Sequence, residues 1–310
     1  MIITVTLNPA LDQSLTIPRF AAGSVNRAVD SRIDPGGKGV NVSKALRNLG
    51  IDTLATGFLG GGAGLRLANA LDGLGIRHQF VSVSGETRTN LKIFDPEWHT
   101  YTDINEAGKA VSSEEIASLE QLLLNLPQRG DTVLFAGSAP KGFSPDLPAR
   151  WAEMLLSRGV CVVADQDGAQ LSAMVSSHPT MIKPNEHELK ELLHLSDTTL
   201  STLILAAKTL VSGGIENVVV SLGENGALFA DGEGVLFAKG VRVDAVSTVG
   251  AGDAMTAGFL YARERGFSRE ETARFALALA TAKVTCPGSS PPSQEMVEQY
   301  LPRVEIQNIG

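Results

Sequence analysis

The stretch Thr53-Leu-Ala-Thr-Gly-Phe58 is a mostly apolar run that leads into the glycine turn Gly60-Gly-Gly-Ala-Gly64, and leucines follow at positions 67, 71 and 74. Such a run, without regular polar–apolar alternation, is typical of a parallel strand covered on both faces. Leucines spaced by four and three residues share one face of a helix. The stretch therefore predicts one strand–turn–helix unit of an α/β fold.

Similar apolar runs recur along the chain, and helical patterns separate them. They are Ile2 to Leu7, Thr132 to Phe135, Val160 to Ala164, Met181 to Ile182 and Val218 to Ser221. Strands that alternate with helices imply right-handed crossovers and a doubly wound, mostly parallel sheet flanked by helices. The sequence predicts a single α/β domain over residues 1–310.

Two stretches, residues 12–34 and 87–105, interrupt this pattern. Both alternate polar and apolar residues, as in Ser14-Leu-Thr-Ile17. Alternation predicts strands with one exposed face, so we expect a small antiparallel sheet that stands off the main domain as a lid. Because uncovered strands tend to find partners, we also expect a homodimer formed through this lid.

Composition excludes several classes of protein. The 310 residues carry a formal net charge of −8, so no basic field favours nucleic acid. No apolar run approaches the length that crosses a bilayer, and the start of the chain has no basic leader. The two cysteines lie far apart, so we expect a reduced, cytoplasmic protein.

The first chemical signal is Ser247-Thr-Val-Gly-Ala-Gly-Asp253, which precedes the small and apolar residues Ala254 to Leu260. Glycines at a helix N-terminus let a phosphate approach free backbone N–H groups at the positive end of the helix dipole. Asp253 could then take a proton from an attacking hydroxyl beside that anion site. An acid in the first turn that only stabilises the helix is the alternative interpretation.

A second signal, Lys183-Pro-Asn-Glu-His-Glu188, follows a short apolar strand. Asn185 and Glu188 have the spacing of a capping box, which stabilises a helix N-terminus. The same two side chains could organise a Mg²⁺ ion and its waters near nucleotide phosphates.

A third signal, Asp34-Pro-Gly-Gly-Lys-Gly-Val-Asn41, opens another helical pattern. It lacks the Gly-Lys-Ser/Thr ending of a Walker A loop, and Asn41 stands where a dinucleotide fingerprint needs its third glycine. A glycine turn with a lysine and an asparagine is suited to sugar hydroxyls and phosphate, although it could also be an ordinary turn into a helix.

In this order the three motifs resemble the signatures of the ribokinase-like (PfkB) family of carbohydrate kinases, and the resemblance covers nearly the whole chain. It implies a ribokinase-like fold and an ATP-dependent transfer of a phosphoryl group to a sugar hydroxyl, with Mg²⁺ as the metal cofactor. Asp253 would be the catalytic base, and the backbone amides of Gly250, Ala251 and Gly252 would form the anion hole.

The resemblance implies further roles for matching positions. The sugar and its phosphate would contact Asp12, Gly37, Lys38, Asn41, Arg88 and Ser138. ATP and its Mg²⁺ would be bordered by Lys183, Asn185, Glu188, Ser221, Gly223, Gly226 and Gly288. A K⁺ site would use carbonyls around Ser247 and Val249, but its partner loop, Cys286-Pro-Gly-Ser289, differs from better-known members of the family.

Within the family the sequence resembles the branch that acts on phosphosugars. Glu86-Thr-Arg-Thr-Asn90 recurs there, and Asp103-Ile-Asn-Glu-Ala-Gly108 resembles the version that phosphorylates fructose 1-phosphate to fructose 1,6-bisphosphate. Tagatose-6-phosphate kinases and minor 6-phosphofructokinases share most of the remaining motifs and stay open as alternatives. A phosphosugar-binding regulator without activity would not need Asp253 and Glu188, and a dehydrogenase would need the missing third glycine.

Overall fold

A computed structural model describes all 310 residues, which form fifteen strands and ten α-helices. In chain order the elements are β1 (Ile2–Thr6), β2 (Ala10–Thr16), β3 (Asp30–Gly36), α1 (Lys38–Asn48), β4 (Thr53–Leu59), α2 (Gly61–Gly73), β5 (Arg77–His78), β6 (Val81–Ser82), β7 (Arg88–Asp95), β8 (Thr100–Ile104), α3 (Ser113–Asn125), β9 (Thr132–Ala136), α4 (Asp146–Ser157), β10 (Cys161–Asp165), α5 (Gly168–Ser176), β11 (Met181–Ile182), α6 (Glu186–Leu193), α7 (Leu200–Ser212), β12 (Asn217–Ser221), β13 (Gly226–Asp231), β14 (Gly234–Lys239), α8 (Ala251–Glu264), α9 (Arg269–Val284), α10 (Gln294–Tyr300) and β15 (Ile306–Asn308).

The main sheet has eleven strands in the order β15-β14-β13-β12-β11-β10-β9-β1-β4-β5, with β6 paired to β4. All pairs from β12 through β1 to β5 and β6 are parallel. Strand order reverses at β1, because the chain continues from β1 to β4 on one side and reaches β9 on the other. The carboxyl ends of strands at such a switch point are the usual place for a ligand in open α/β sheets.

Helices cover both faces of this sheet, as the predicted doubly wound fold requires. Alternate residues of one strand enter opposite cores: Ile3 joins the core under α3 to α7, and Ile2 joins the core under α1 and α8 to α10. Gly258 lets α8 approach α9 closely, since a Cβ there would lie 2.6 Å from the Cα of Ala276. Helix α8 is therefore fixed against the sheet and against α9.

The expected lid is a second sheet of four strands in the order β3-β2-β7-β8. Its outer pairs, β2–β3 and β7–β8, are antiparallel as predicted, whereas the central pair β2–β7 is parallel. The parallel pair arises because β2 and β7 both leave the main domain in the same direction, each from the carboxyl end of a parallel strand.

The sequence interpretation missed one edge of the main sheet. Strands β13, β14 and β15 extend β12 in antiparallel fashion. At the end of the chain, β15 follows α10 and pairs with the edge strand β14. The pairing partner of such a short segment lies about seventy residues away, so local periodicity cannot reveal it.

None of the helices combines the length and the apolar character needed to cross a bilayer.

Candidate active site

The predicted site residues gather at the carboxyl ends of the central parallel strands. The chain leaves β9 at Gly137, whose backbone N–H donates to the carbonyl of Asp165 at the end of β10 (2.9 Å). Lys183 follows β11 directly, and its backbone N–H donates to the carbonyl of Ala164 (3.0 Å). The early glycine turn and the late one both open onto this edge, at α1 and α8.

The late turn places Gly250 as the N-cap of α8, with φ 78°. This left-handed conformation favours glycine, and the N–H groups of Gly250 and Gly252 have no acceptor in the protein, whereas the N–H of Ala251 donates to the carbonyl of Thr248 at 3.3 Å. A Cβ on Gly252 would lie 3.2 Å from Nζ of Lys183, so a lysine ammonium stands beside the glycine turn. The helix dipole and the charge of the lysine would both favour an anion at this turn.

Asp253 occupies the first turn of α8 and is 7% exposed. Its Oδ2 accepts a hydrogen bond from Nδ2 of Asn41, at 2.8 Å. Burial, together with the nearby charge of Asp165, raises the pKa of Asp253 to about 6. The carboxylate therefore joins the late glycine turn to the early one, and its raised pKa is compatible with the role of base that the resemblance implies.

Asp165 is a member of the site that the sequence interpretation missed. It is 1% exposed and lies between Nζ of Lys38, at 3.1 Å, and Nζ of Lys183, at 3.3 Å. The hydroxyl of Thr256 also donates to it, at 2.8 Å. The two ammonium groups outweigh the effect of burial and hold its pKa below the ordinary value. The sequence did contain a signal for Asp165, because it is an acidic residue directly after the predicted strand 160–164.

The early turn is packed tightly against the end of β1. A Cβ on Gly37 would lie 2.7 Å from Cγ2 of Thr6, and one on Gly39 would lie 2.5 Å from Oγ1 of the same residue. Gly37 also has φ 110°, a conformation that favours glycine. These glycines place Lys38 and Asn41 in the first turn of α1, where both face the cleft.

One face of the lid sheet adds polar groups to the cleft. Asp12 is buried, and its Oδ1 accepts a hydrogen bond from Nδ2 of Asn90, at 3.0 Å. Oδ1 of Asn90 and Oδ1 of Asn41 are buried and have no hydrogen-bond partner in the protein. Buried amide oxygens are normally paired, so these two acceptors are available to ligand hydroxyls. Asn90 is a second site candidate to which no role was assigned from sequence.

Arg88 begins β7 and points toward the edge of the cleft. Its Nε and Nη2 donate to the carbonyl of Asn8, at 3.2 and 3.0 Å, and its Nη1 donates to the carbonyl of Glu106, at 2.8 Å. Two of its five N–H groups remain for other acceptors. Ser138 is half-buried beside Gly137, whose missing Cβ would lie 3.7 Å from the side chain of Lys38.

The Asn185 and Glu188 pair forms the capping box that its spacing predicts. Oδ1 of Asn185 accepts from the backbone N–H of His187 and of Glu188, and Oε2 of Glu188 accepts from the N–H of Asn185 at 2.8 Å. The charge of Glu188 nevertheless contributes to the raised pKa of Lys38, after the larger effect of Asp165. Because Oε1 of Glu188 makes no protein hydrogen bond, the cap still leaves one oxygen for a hydrated Mg²⁺.

The end of β12 lies beside this cap, and a short glycine turn follows it. Ser221 forms an isolated parallel bridge with Asn185, and its N–H donates to the carbonyl of Pro184, at 3.0 Å. Gly223 and Gly226 flank a short 3₁₀ turn with φ values of 58° and 108°. The two segments expected to border ATP are therefore neighbours.

The loop before α8 contacts the end of α9. The N–H of Ser247 donates to the carbonyl of Val284, at 3.0 Å, and Oγ of Ser247 accepts from the N–H of Val249, at 3.3 Å. Gly288, with φ 52°, lies under the guanidinium of Arg32 from β3, so the lid also reaches this loop.

Comparisons with known proteins agree with this geometry. Residues 6–296 match the profile described as pfkB family carbohydrate kinase. The chain is 36% identical over 306 residues to a 1-phosphofructokinase from Haemophilus influenzae, with 98% of this chain and 97% of that protein covered. Among solved structures, phosphofructokinase-2 from Escherichia coli in complex with substrates and products has a TM-score of 0.93 at 28% identity, with 97% of this chain and 98% of that one covered. The same E. coli protein in complex with potassium is similar over the same shares of the two chains, with the same TM-score and identity.

Proposed function

The chain belongs to the pfkB family of carbohydrate kinases, and from this premise we propose that it phosphorylates a ketose phosphate with ATP, fructose 1-phosphate being the acceptor and fructose 1,6-bisphosphate the product. The observation that carries the proposal is the hydrogen bond between Asn41 and Asp253. It joins the two glycine turns around a single cleft, so that a sugar on one turn can meet a phosphoryl group on the other.

The chemical step needs little covalent participation from the protein. The acceptor hydroxyl oxygen forms a bond to the γ-phosphorus as the bond to the β-phosphate oxygen of ATP breaks, and ADP leaves. Asp253 accepts the hydroxyl proton, and the amides of Gly250, Ala251 and Gly252 hold the charge of the transferring group. Catalysis rests mainly on positioning and charge stabilisation.

ATP would lie along the two neighbouring segments after β11 and β12. Lys183, 5% exposed, stands between the glycine turn and Asp165 and would neutralise phosphate charge. Mg²⁺, when bound, offsets the charge of the phosphates, and the free oxygen of Glu188 would hold one of its waters. Asn185, the Ser221–Gly226 turn and Gly288 would border the nucleotide.

The sugar would lie between the early turn and the polar face of the lid. The unpartnered oxygens of Asn41 and Asn90 would accept hydrogen bonds from its hydroxyls, and Asp12 would accept another. Its phosphate would meet Lys38 and the two remaining N–H groups of Arg88, with Ser138 near the acceptor. We assign the whole chain to one kinase domain that is closed by the lid.

A direct comparison of acceptors tests the proposal. We expect kcat/KM for fructose 1-phosphate to exceed kcat/KM for fructose 6-phosphate and for tagatose 6-phosphate, measured by ADP release under identical conditions. Arg88→Ala should raise KM for the phosphosugar more than it lowers kcat. A higher kcat/KM for either 6-phosphate would move the chain to another branch, and no ADP release with any of the three would reject the kinase proposal.

A homodimer through the lid is part of the same proposal. Cross-strand register places Ile33, Gln13, Leu91 and Ile104 in one mostly apolar row on the face opposite Asp12. Ile33 and Ile104 are each 49% exposed. An amphipathic sheet with polar groups toward the cleft and an open, mostly apolar row on its back fits a second copy of the chain.

Light scattering on a sizing column tests the dimer. Ile104→Asp should convert it to a monomer, because a charge would be buried at the interface. Leu205→Asp is the matched control, since Leu205 on α7 is 68% exposed and lies outside the lid sheet. A monomeric unmodified chain would reject the lid dimer.

The proposal includes a cytoplasmic location, where the free thiols of Cys161 and Cys286 would stay reduced.

A further inference from the structure

A second buried lysine stands beside the anion hole, and neither the sequence interpretation nor the mechanism above gives it a role. Lys283 lies in the last turn of α9 and is 3% exposed. Its Nζ donates to the carbonyl of Gly288, at 2.7 Å, and the side chain forms no ion pair. Burial lowers the pKa of Lys283, and the charges of Cys286 and Asp253 oppose this effect. Burying an ammonium group with one protein acceptor costs free energy of folding, so a lysine at this position calls for an explanation.

The position of the side chain suggests an explanation. A Cβ on Gly250 would lie 3.3 Å from Cε of Lys283 and 3.8 Å from Oδ2 of Asp253. The end of the lysine side chain therefore packs against the residue that begins the anion hole. Lys183 occupies the corresponding place beside Gly252, so the glycine turn has a buried lysine next to each of its two glycines.

Three backbone carbonyls near Lys283 already accept hydrogen bonds from donors of the chain, which leaves fewer oxygens for a potassium ion. Potassium sites replace the hydration shell of the ion with several oxygen ligands, commonly backbone carbonyls. The carbonyl of Val284 already accepts two N–H groups, from Val246 at 2.8 Å and from Ser247 at 3.0 Å. The carbonyl of Gly288 accepts from Lys283 itself.

The next carbonyl in the partner loop is also engaged. The carbonyl of Pro287 accepts from the N–H of Ser290, at 3.2 Å, and from Nη2 of Arg32, at 3.4 Å. The carbonyls of Pro287 and Gly288 thus already accept from donors of the chain, and one of these donors is the ammonium of Lys283. Phosphofructokinase-2 from E. coli has been solved in complex with potassium. Whether the present chain responds to potassium can therefore be tested by experiment.

We propose that the ammonium group of Lys283 is a built-in monovalent cation of the anion hole, and that it makes this kinase independent of potassium. The inference deepens the proposed function and rests on it. Lys283 is a positioning residue: its charge stabilises the loops on both sides of Gly250 and favours the negative charge that develops at the amides of the turn. A tethered ammonium needs no capture from solution, so its effect does not depend on salt composition.

A cation-exchange experiment tests the proposal on the full chain. The unmodified enzyme should show the same kcat and the same melting temperature in chloride salts of potassium and of tetramethylammonium at equal ionic strength. In Lys283→Ala we expect kcat to fall about 10- to 100-fold, the effect of losing one charged stabilising group at an oxyanion site. Potassium, ammonium or methylammonium ions should restore at least several-fold of that loss and raise the melting temperature of the variant.

Two matched variants separate charge from packing. Lys283→Met fills the same space without a charge, and it should lose activity without rescue by any cation. Lys44→Ala removes another buried lysine, which donates to Pro35 and Ser289 rather than lying at the anion hole. Equal rescue of Lys44→Ala would indicate general filling of cavities and would overturn the proposal.

The comparison of salts on the unmodified enzyme tests the proposal even if Lys283→Ala does not fold. Several-fold activation of the unmodified enzyme by potassium would show a potassium site and overturn the proposal, as would normal activity of Lys283→Met. Melting temperatures need no turnover, so a chain that proved not to be a kinase would still report whether potassium replaces the lysine.

Discussion

The two glycine turns look alike in sequence but differ in what fills the space that their glycines leave. At the early turn the protein itself occupies that space: Oγ1 of Thr6 lies 2.5 Å from a Cβ placed on Gly39. At the late turn a Cβ on Gly252 would meet only the flexible end of Lys183, at 3.2 Å. The early glycines therefore allow packing, whereas the late ones leave the backbone open to a ligand.

This difference assigns the two turns complementary tasks. The early turn is a rigid support that presents Lys38 and Asn41, because α1 can begin there only if it approaches β1 closely. We propose that the late turn receives the ligand, because the N–H groups of Gly250 and Gly252 have no acceptor in the protein and Asp253 lies next to them, whereas the N–H of Ala251 donates to the carbonyl of Thr248 at 3.3 Å. Changes at the early turn should affect stability first, and changes at the late turn should affect catalysis first.

Asp253→Asn should give the largest effect, at the late turn. We expect kcat to fall by about 10² to 10⁴, because the variant cannot accept the hydroxyl proton. Stability should hold, since the amide oxygen can still accept from Asn41 and no buried charge remains. Steady-state kinetics and urea denaturation measure both. Turnover close to that of the unmodified chain would remove Asp253 from the role of base.

Asp165→Asn is the control for that variant, because both carboxyl groups are buried. Here the substitution leaves Lys38 and Lys183 without a full charge partner. Removing one partner of a buried ion pair costs about 3–5 kcal/mol. The free energy of unfolding should therefore fall much further for Asp165→Asn than for Asp253→Asn.

Gly39→Ala tests the supporting role of the early turn. The new methyl group would overlap Thr6 and come within 3.3 Å of the carbonyl of Val5, so we expect a loss of about 1–3 kcal/mol in the free energy of unfolding. Gly73→Ala is the control, since Gly73 is helical with open space around it and should gain roughly 0.5–1 kcal/mol. An unchanged stability for Gly39→Ala would contradict the packing explanation.

Gly252→Ala makes the same chemical change at the receptor turn, with a smaller and different effect. We expect kcat/KM for ATP to fall about 10-fold, which corresponds to about 1.4 kcal/mol, because the methyl group crowds the phosphate. Unfolding in urea should shift by no more than about 0.5 kcal/mol, since only Lys183 has to move. If Gly252→Ala lost stability without losing kcat/KM, the late turn would have the same packing role as the early turn.

The pH dependence of activity gives the smallest effect near neutrality. As the proposed base, Asp253 must be ionised, and burial raises its pKa in the ligand-free chain to about 6, so kcat/KM should be half-maximal near pH 6 and fall about tenfold per unit below. The raised pKa means that the folded state binds this proton more tightly than the unfolded one. Its contribution to stability is complete below the ordinary value of 3.8 and is lost as the pH rises to about 6. Urea denaturation at pH 4 and pH 7 should show this slope in the unmodified chain and not in Asp253→Asn.

Local chemistry made much of the protein predictable. The strand and helix pattern, the lid strands and the capping box at Asn185 depend on residues within a few positions of one another, and each is present as expected. The two glycine turns were recognisable for the same reason. The sequence by itself thus determined the fold class, both helix N-termini of the cleft and the carboxylate beside one of them.

Tertiary structure alone decided which of these groups meet and what charge they carry. Asp165 pairs with Lys38 across 127 positions of the chain, and Lys283 reaches the turn at Gly250 through the packing of α9 against α8. The edge strands β13 to β15 likewise depend on partners distant in sequence. Such contacts leave no period in the sequence, because the free energy of a buried charge or an edge pairing depends on what the folded chain places beside it.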